Sequence, residues 1–364
     1  MDIETPKAFT RRKDSIRREL KRYLFYISQL YSFAIVRPLQ EAIWNRGDEA
    51  AWFLEHPAQL ATYLLPNEKR LHTVAEVKAY NPCAVFVPGN VVPDFFPGIK
   101  VEIFHGFHAH KRSRQKGHFR IRNFFDLYCT QGPDTTEPFQ RLAEKHGFFE
   151  VVETGWPKMD PLFLANAQPV EKKRQPIILF TSTFTAKLSA APVLFETIKS
   201  LVKGGQWKWL INFHPKMDSS VVALYKAILD ENLQYVETDN IIPLLQTADI
   251  MISDTSSVLS EFLLLYKPVV TMNNRQPGPH LLNITNPEKL RETVEHGLTC
   301  PAALTEEIKL YADRIHPYRD GLSSVRVLDA TDAFIRNGRA HLKRKPLNIF
   351  RRMKIRKQLG YYRF

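Results

Sequence analysis

The sequence predicts an α/β protein made of two doubly wound parallel sheets facing each other across a cleft, with basic helical termini. Three observations carry this. Short apolar runs alternate with helix-like stretches; the alternation breaks at the polar stretch AQPVEKKRQ (167–175) and then restarts; and 364 residues is about the length of two domains.

In the first half the expected strands are 32–36, 51–54, 84–87, 101–104, 126–130 and 151–154, with helices at 38–44 and 135–146. Ahead of them, Ile16, Leu20, Tyr23, Leu24, Ile27, Leu30 and Tyr31 recur at spacings of three and four, which predicts a helix over 17–30. Its other face carries Arg17, Arg18, Lys21 and Arg22, as either the solvated side of a packed helix or a basic membrane-surface helix. In the second half the expected strands are 177–181, 209–213, 235–236, 250–252 and 268–271, with helices at 191–202, 220–232, 242–247 and 257–265. The chain then divides into an N-terminal helix (1–30), a first domain (31–166), a linker (167–175), a second domain (176–338) and a basic tail (339–364).

Composition narrows the function classes. With 44% hydrophobic and 24% charged residues the chain can bury a core, which excludes a largely disordered protein. Cys83, Cys129 and Cys300 are far apart and form no CxxC, so neither a disulfide framework nor a structural zinc site is expected, and a reducing cytoplasm suits the chain. The net charge of +13 is concentrated: from Arg336 onward there are eleven Lys or Arg and no acid, leaving 40 basic against 38 acidic residues before it. A nucleic-acid enzyme would carry its charge on the working face, so nucleic acid is not an expected partner; a basic tail suits an anionic membrane surface. No apolar run approaches the ~20 residues that span a bilayer, and the N-terminus does not read as a secretory signal, so a cytoplasmic or peripheral protein is expected.

Ligands of doubly wound sheets sit outside the carboxyl ends of the strands, so the polar residues just after each predicted strand are the candidates. The 101–104 strand is followed by His105-Gly106-Phe107-His108-Ala109-His110-Lys111. A histidine at a strand end suits a general base for a hydroxyl nucleophile; the plainer reading is a histidine bonded to a backbone carbonyl. His108 and His110 would extend the site, and metal binding is disfavoured because no acid is near. After 209–213 comes His214-Pro215, a donor to phosphate oxygens or a structural turn histidine. After 250–252 comes Ser253-Asp254-Thr255-Ser256-Ser257 ahead of an apolar helix, more capping residues than one helix needs, which points to phosphate binding. Thr181-Ser182-Thr183 is a second hydroxyl-rich strand end, and Asp320-Gly321-Leu322-Ser323-Ser324-Val325-Arg326 adds a serine pair and a guanidinium. Together these point to a nucleotide diphosphate. The sequence has no GxGxxG, no GxxxxGK[ST] and no Asp-x-Asp, so a chelated metal on the diphosphate, or another cofactor, is not expected.

In this order the pieces resemble the CDP-glycerol glycerophosphotransferase family, which builds teichoic acid and related capsular or envelope polymers. The matching elements are IFHG (103–106), TGWPKMD (154–160), ILFTSTFT (178–185), NFHPKMD (212–218), TADIMISDTSSVLSEFLLLYKPVV (247–270) and DGLSSVRVLDA (320–330). Phe104 stands where the family has Trp, and Glu261 where it has Asp. The resemblance implies a GT-B architecture. It makes His105 the general base and His214 the residue holding the donor diphosphate. It matches Ser253, Asp254, Ser256 and Ser257 to the family's donor-binding turn and Gly155 and Asp160 to the pattern that closes the first domain; with the strand-end reading, the donor-side candidates are these four with Thr181, Ser182, Thr183, Glu261, Ser323, Ser324 and Arg326, and the acceptor-side candidates are Gly106, His108, Lys111, Gly155 and Asp160. The implied reaction is attack of an acceptor hydroxyl on the β-phosphorus of a CDP-alditol donor, without metal, releasing CMP. The acceptor is a glycan or a lipid-linked molecule, and the basic tail would hold the enzyme at the inner leaflet or be a disordered tail with no partner. The rival readings are a GT-B glycosyltransferase or UDP-sugar epimerase, and a nucleotide-binding protein without catalysis.

Overall fold

The segment expected to open the chain as a helix is a strand. Tyr23 to Ile27 are five consecutive apolar residues, all fully buried, and a run that short satisfies helical and strand spacing equally well. In the computed structural model, which describes residues 19–107, 119–164, 175–238 and 240–362, β1 (Arg22–Ile27) is an interior strand of a seven-stranded sheet buried on both faces. The other strands are β2 (Glu49–Leu54), β3 (Arg70–Leu71), β4 (Ala84–Val87), β5 (Ile99–Glu102), β6 (Leu127–Thr130) and β7 (Glu150–Glu153). All pairings are parallel, in the order β3-β2-β1-β4-β5-β6-β7. The expected strand at 32–36 is also corrected: it is the start of the helix Ser32–Asn45. Phe33, Val36, Leu39, Gln40 and Ile43 lie on one buried face, and that spacing overrides the β-branched pair Ile35-Val36.

The second sheet contains β8 (Ile177–Ser182), β9 (Lys208–Phe213), β10 (Leu233–Tyr235), β11 (Ile250–Ser253), β12 (Val269–Met272) and β13 (Leu282–Ile284). It too is wholly parallel, in the order β10-β9-β8-β11-β12-β13. Both sheets therefore reverse direction beside their first strand, at β1/β4 and at β8/β11. The helix expected over 220–232 is shorter, Ser219–Lys226, because Asp230 accepts from the Asn232 amide (2.8 Å) and turns the chain into β10. Most of the expected linker, residues 167–174, and the N-terminal residues 1–18 lie outside the described residues.

One apolar cluster joins the two sheets, running from Phe25 and Trp52 through Trp156 and Met159 to Phe262 and Leu328. The helix Ser323–Asn337 returns to the first sheet, where Asp332 accepts from Tyr23 Oη (3.2 Å) and pairs with Lys21 (2.7 Å). The basic tail follows it there. Asp126, buried, lies 2.9 Å from Arg339 and 2.8 Å from Lys345, and Lys345 also donates to Phe124 O. A last helix, Ile349–Gln358, packs Ile355 into the core under the outer face of the first sheet. The alternative of a disordered, partnerless tail is thereby corrected: charge repulsion within it is relieved by Asp94 and Asp126, and His341 bonds to Glu150. Asp126→Asn leaves Lys345 half-desolvated beside a neutral amide. It should cost about 3 kcal/mol, lowering Tm and speeding tryptic cleavage between 339 and 357; wild-type rates would remove Asp126 from this role.

Candidate active site

Each sheet offers a crevice at its reversal point, on the edge where the strands end. In the second sheet that crevice lies between β8 and β11. The register that sets Ile252 beside Phe180 brings Ser253 next to Thr181, and their hydroxyls share a 3.0 Å hydrogen bond. Asp254, fully buried, accepts from Ser182 Oγ (2.5 Å), Thr183 N (3.0 Å) and Ala190 N (3.1 Å). Burial pushes its pKa up and these hydrogen bonds pull against that. Its own carbonyl accepts from Asn274 Nδ2 at 2.7 Å. Thr181, Ser182, Ser253 and Asp254 are thus a buried floor that spends its polar groups on itself. The residues left at the surface of the crevice are Thr183, Thr255, Ser256 and Ser257.

In the first sheet, Phe104 has φ +58, a left-handed conformation costing an aromatic residue ~1–2 kcal/mol, and it redirects the chain just before His105. The ring of His105 stacks on Tyr31 (5.5 Å between centroids), and its Nδ1 is 3.0 Å from Pro88 O. A carbonyl only accepts, so Nδ1 carries the proton and Nε2 the lone pair. Both neighbours follow the strands of the reversal point, Tyr31 after β1 and Pro88 after β4. The plainer reading, a histidine bonded to a carbonyl, and the general-base reading are therefore compatible: the carbonyl fixes the tautomer a base needs. Gly106 O accepts from Gln131 Nε2 (3.1 Å). His108 and Lys111 lie outside the described residues.

A cavity of about 350 Å³ lies between the two edges, and neither His105 nor His214 is in its wall. Phe107 and Asp134 line it from the first sheet's side, and Thr255, Ser256, Asn274 and His280 from the second's. His280 was not legible as a site residue. It stacks on Tyr311 at 3.9 Å with rings nearly parallel, and burial pushes its pKa down to about 4, so it is neutral at neutral pH. Its place in GPH (278–280), nine residues past the expected 268–271 strand, is not the strand-end position that picked out His105 and His214. His214 stands at the exposed end of β9, outside this cavity's wall, with its ring 4.6 Å from Phe184. Its Nδ1 accepts from Lys216 N (3.0 Å), which leaves the proton on Nε2; partial burial and the Lys216 charge hold its pKa below the usual value. The result is a neutral N–H donor at the strand end.

The remaining candidates lie in a seam beneath the cleft, where the structure sets them against other protein groups. Asp160 is buried and accepts from Ser323 N (2.8 Å) and Ser324 N (2.7 Å), capping the helix Ser323–Asn337. The amides of that serine pair are spent and both residues are buried. Gly155 has φ +80, and a Cβ there would sit 2.4 Å from Ser323 Oγ, so only glycine fits. Glu261 pairs with Lys158 at 2.5 Å, tying the helix Val258–Leu263 to the TGWPKMD segment. Arg326 is held by Asp320 over the Tyr318 ring, 4.0 Å from its centroid. Among the described residues, no group of three or more His, Cys, Asp or Glu side chains is placed to hold a metal ion.

His316, missed in the sequence, completes the seam by accepting from Trp156 N at 3.0 Å through Nε2. Burial depresses its pKa from 6.5 to about 4. The unfolded chain therefore binds a proton before the folded one does, and stability present above pH 6.5 is lost as pH falls toward 4. Thermal unfolding across that range should show Tm falling with pH. His316→Gln, which keeps an acceptor for Trp156 N–H, should flatten the fall; an unchanged slope would exclude His316 as its source.

Comparison with known proteins agrees with this geometry. The family model of CDP-glycerol:poly(glycerophosphate) glycerophosphotransferase matches residues 108–331, more than half of the chain, beginning three residues after His105. No curated protein matches. Among solved structures, the wall teichoic acid polymerase TagF superposes with a TM-score of 0.61 at 16% identity, covering 86% of this chain and 89% of that one. A putative UDP-N-acetylglucosamine 2-epimerase from Listeria monocytogenes gives 0.60 at 16% identity, covering 90% and 98%. The UDP-GlcNAc 2-epimerase from Neisseria meningitidis, bound to UDP-GlcNAc, gives 0.58 at 14% identity, covering 86% and 100%. At these identities the likeness is one of fold, two Rossmann-like sheets in the GT-B arrangement. With the family match over 108–331, the chain belongs to the CDP-glycerol:poly(glycerophosphate) glycerophosphotransferase family.

Proposed function

We propose that the protein transfers glycerol phosphate, or a related polyol phosphate, from a CDP-activated donor to a hydroxyl of a cell-envelope glycan or glycolipid, releasing CMP. The observation that carries this reading is the shared cavity: Phe107, two residues past His105, and the Thr255–Ser256 turn line it from opposite sides in a chain of this family. A structure of a TagF variant soaked with CDPG supports a donor of that class.

In the proposed reaction the acceptor oxygen attacks the β-phosphorus in line, forming one P–O bond as the bond to CMP breaks. The acceptor proton passes to His105 Nε2, the atom its Pro88 contact equips to receive it. His214 Nε2–H, the exposed hydroxyls of Ser256 and Ser257 and the nearby amides donate to the diphosphate oxygens as charge moves onto CMP. Catalysis is then positioning plus charge neutralisation, with no covalent enzyme intermediate and no metal.

His105→Ala should keep CDP-glycerol binding and lose ~10²–10⁴ in turnover, read as CMP released with acceptor present; full turnover would remove the base. His214→Ala should lower CMP release by ~10² through the missing donor. EDTA should leave both rates unchanged, and a rate restored only by magnesium would overturn the metal-free reading. Release of UDP from UDP-GlcNAc, with CDP-glycerol untouched, would favour nucleotide-sugar chemistry instead.

A further inference from the structure

The lining of the cavity between the two sheet edges is the wrong kind for a phosphate. Among the described residues its wall carries one cation, Arg314, and both ends of that guanidinium are held by the Glu137 carboxylate at 3.0 and 3.1 Å. Asp134 adds an acid to the same wall, and the other polar lining, from Ser256, Gln276 and His280 among others, is uncharged. Phosphate sites gather cations and N–H donors, whereas a carboxylate repels the anion. Between the polar groups lies apolar surface from Phe107, Leu281 and Ile315.

His280 is the most constrained of the polar groups. Its ring lies 3.9 Å from that of Tyr311 with the planes 9° apart, and Tyr311 Oη is fixed in turn by a 2.9 Å hydrogen bond with Ser260 Oγ. Gly278 leaves the ring its room, since a Cβ there would sit 2.6 Å from His280 Cε1. Neither ring nitrogen has a hydrogen-bond partner among the described residues. The imidazole is neutral at neutral pH, so it presents one donor and one acceptor. That pair matches a hydroxyl, which gives and takes a hydrogen bond; a phosphate oxygen only accepts. Volume points the same way. At ~30 Å³ for each water, about 350 Å³ holds roughly a dozen water-sized atoms, which a hexose unit fills and glycerol leaves half empty.

We propose that this cavity is the acceptor subsite, that it takes an uncharged hexose unit, and that His280 is the residue that reads the sugar's hydroxyls. Phe107, Leu281 and Ile315 face the C–H surface of the ring, while His280, Gln276 and Asp134 exchange hydrogen bonds with its hydroxyls. A sugar seated there adjoins Ser256, on the proposed diphosphate turn, and Phe107, two residues past the proposed base. The assignment rests on the transfer reading for calling the ligand an acceptor, and adds that this acceptor ends in a sugar rather than in glycerol phosphate.

Saturation-transfer difference NMR of the full chain with the methyl glycosides of glucose, galactose and N-acetylglucosamine, and with glycerol 3-phosphate at the same concentration, reads binding without catalysis. At least one hexoside should give a signal that glycerol 3-phosphate does not. His280→Phe keeps the stack on Tyr311 and removes both nitrogens, so it should weaken hexoside binding ~10-fold at unchanged Tm. His280→Gln, which restores a donor and an acceptor, should recover most of that loss. Gly278→Ala displaces the ring without altering it and should weaken binding as His280→Phe does. In turnover with the hexoside that binds, His280→Phe should raise the acceptor KM by a similar factor and leave the CDP-glycerol KM unchanged. No signal from any hexoside, binding of glycerol 3-phosphate in their place, or a His280→Phe variant that binds hexoside as the wild type does would each overturn the proposal. A hexoside that binds through His280 yet draws no CMP from CDP-glycerol leaves the sugar site standing and removes the transfer reading instead.

Discussion

The cleft depends on how Asp160 is used. It sits at the end of the first sheet's chain and receives the two amides that open the helix Ser323–Asn337, the segment that returns from the second unit. A buried carboxylate facing the positive end of a fifteen-residue helix is stabilised by hydrogen bonds and by the helix dipole together. Because the two bonds go to successive residues, they set direction as well as distance. Gly155 allows the close approach, the Trp156 amide meets His316, and Lys158 reaches Glu261, so one short segment meets the same junction at four places. With the junction fixed, the ends of two separate parallel sheets confront each other.

The crevice of the second sheet, the proposed donor side, is organised in two layers for a related reason. A phosphate site must present donors that are already oriented, since reorienting dipoles during reaction would raise the barrier. Asp254 does this from below: three donors converge on its carboxylate and pin the 182–190 loop, while its carbonyl fixes Asn274. The hydroxyls on top are then held by backbone whose position is already determined. Tautomers are set by the same economy, since a carbonyl beside His105 and an amide beside His214 give the two rings opposite proton placement.

The tail shows how charge read from a sequence can mislead about conformation. Eleven cations without an acid describe a repelling, extended segment when only neighbours in the chain are counted. Two acids from the first sheet's unit, Asp94 and Asp126, neutralise part of it and Ile355 anchors it. The cations that remain stand on one side of a folded element beside exposed apolar residues, which is a surface with a direction.

By itself the sequence determined the parallel α/β architecture, because long buried runs such as ILFTS and IMIS bounded by polar turns have few alternatives, and it marked the strand ends that carry His105, His214 and the 253–257 turn. It also misplaced β1 and the helix Ser32–Asn45, where a short apolar run or an Ile-Val pair fits two periodicities and only the partner strands break the tie. Tertiary structure alone decided which of these polar residues are buried against other protein groups and which stand at the surface of the crevice. Ser323, Ser324, Asp160 and Gly155 look like ligand contacts in one dimension, yet Asp160 accepts both serine amides across more than 160 positions and Gly155 leaves room for the Ser323 side chain. Local chemistry fixes what a residue can donate or accept; where the chain returns fixes whether a neighbour has already claimed it.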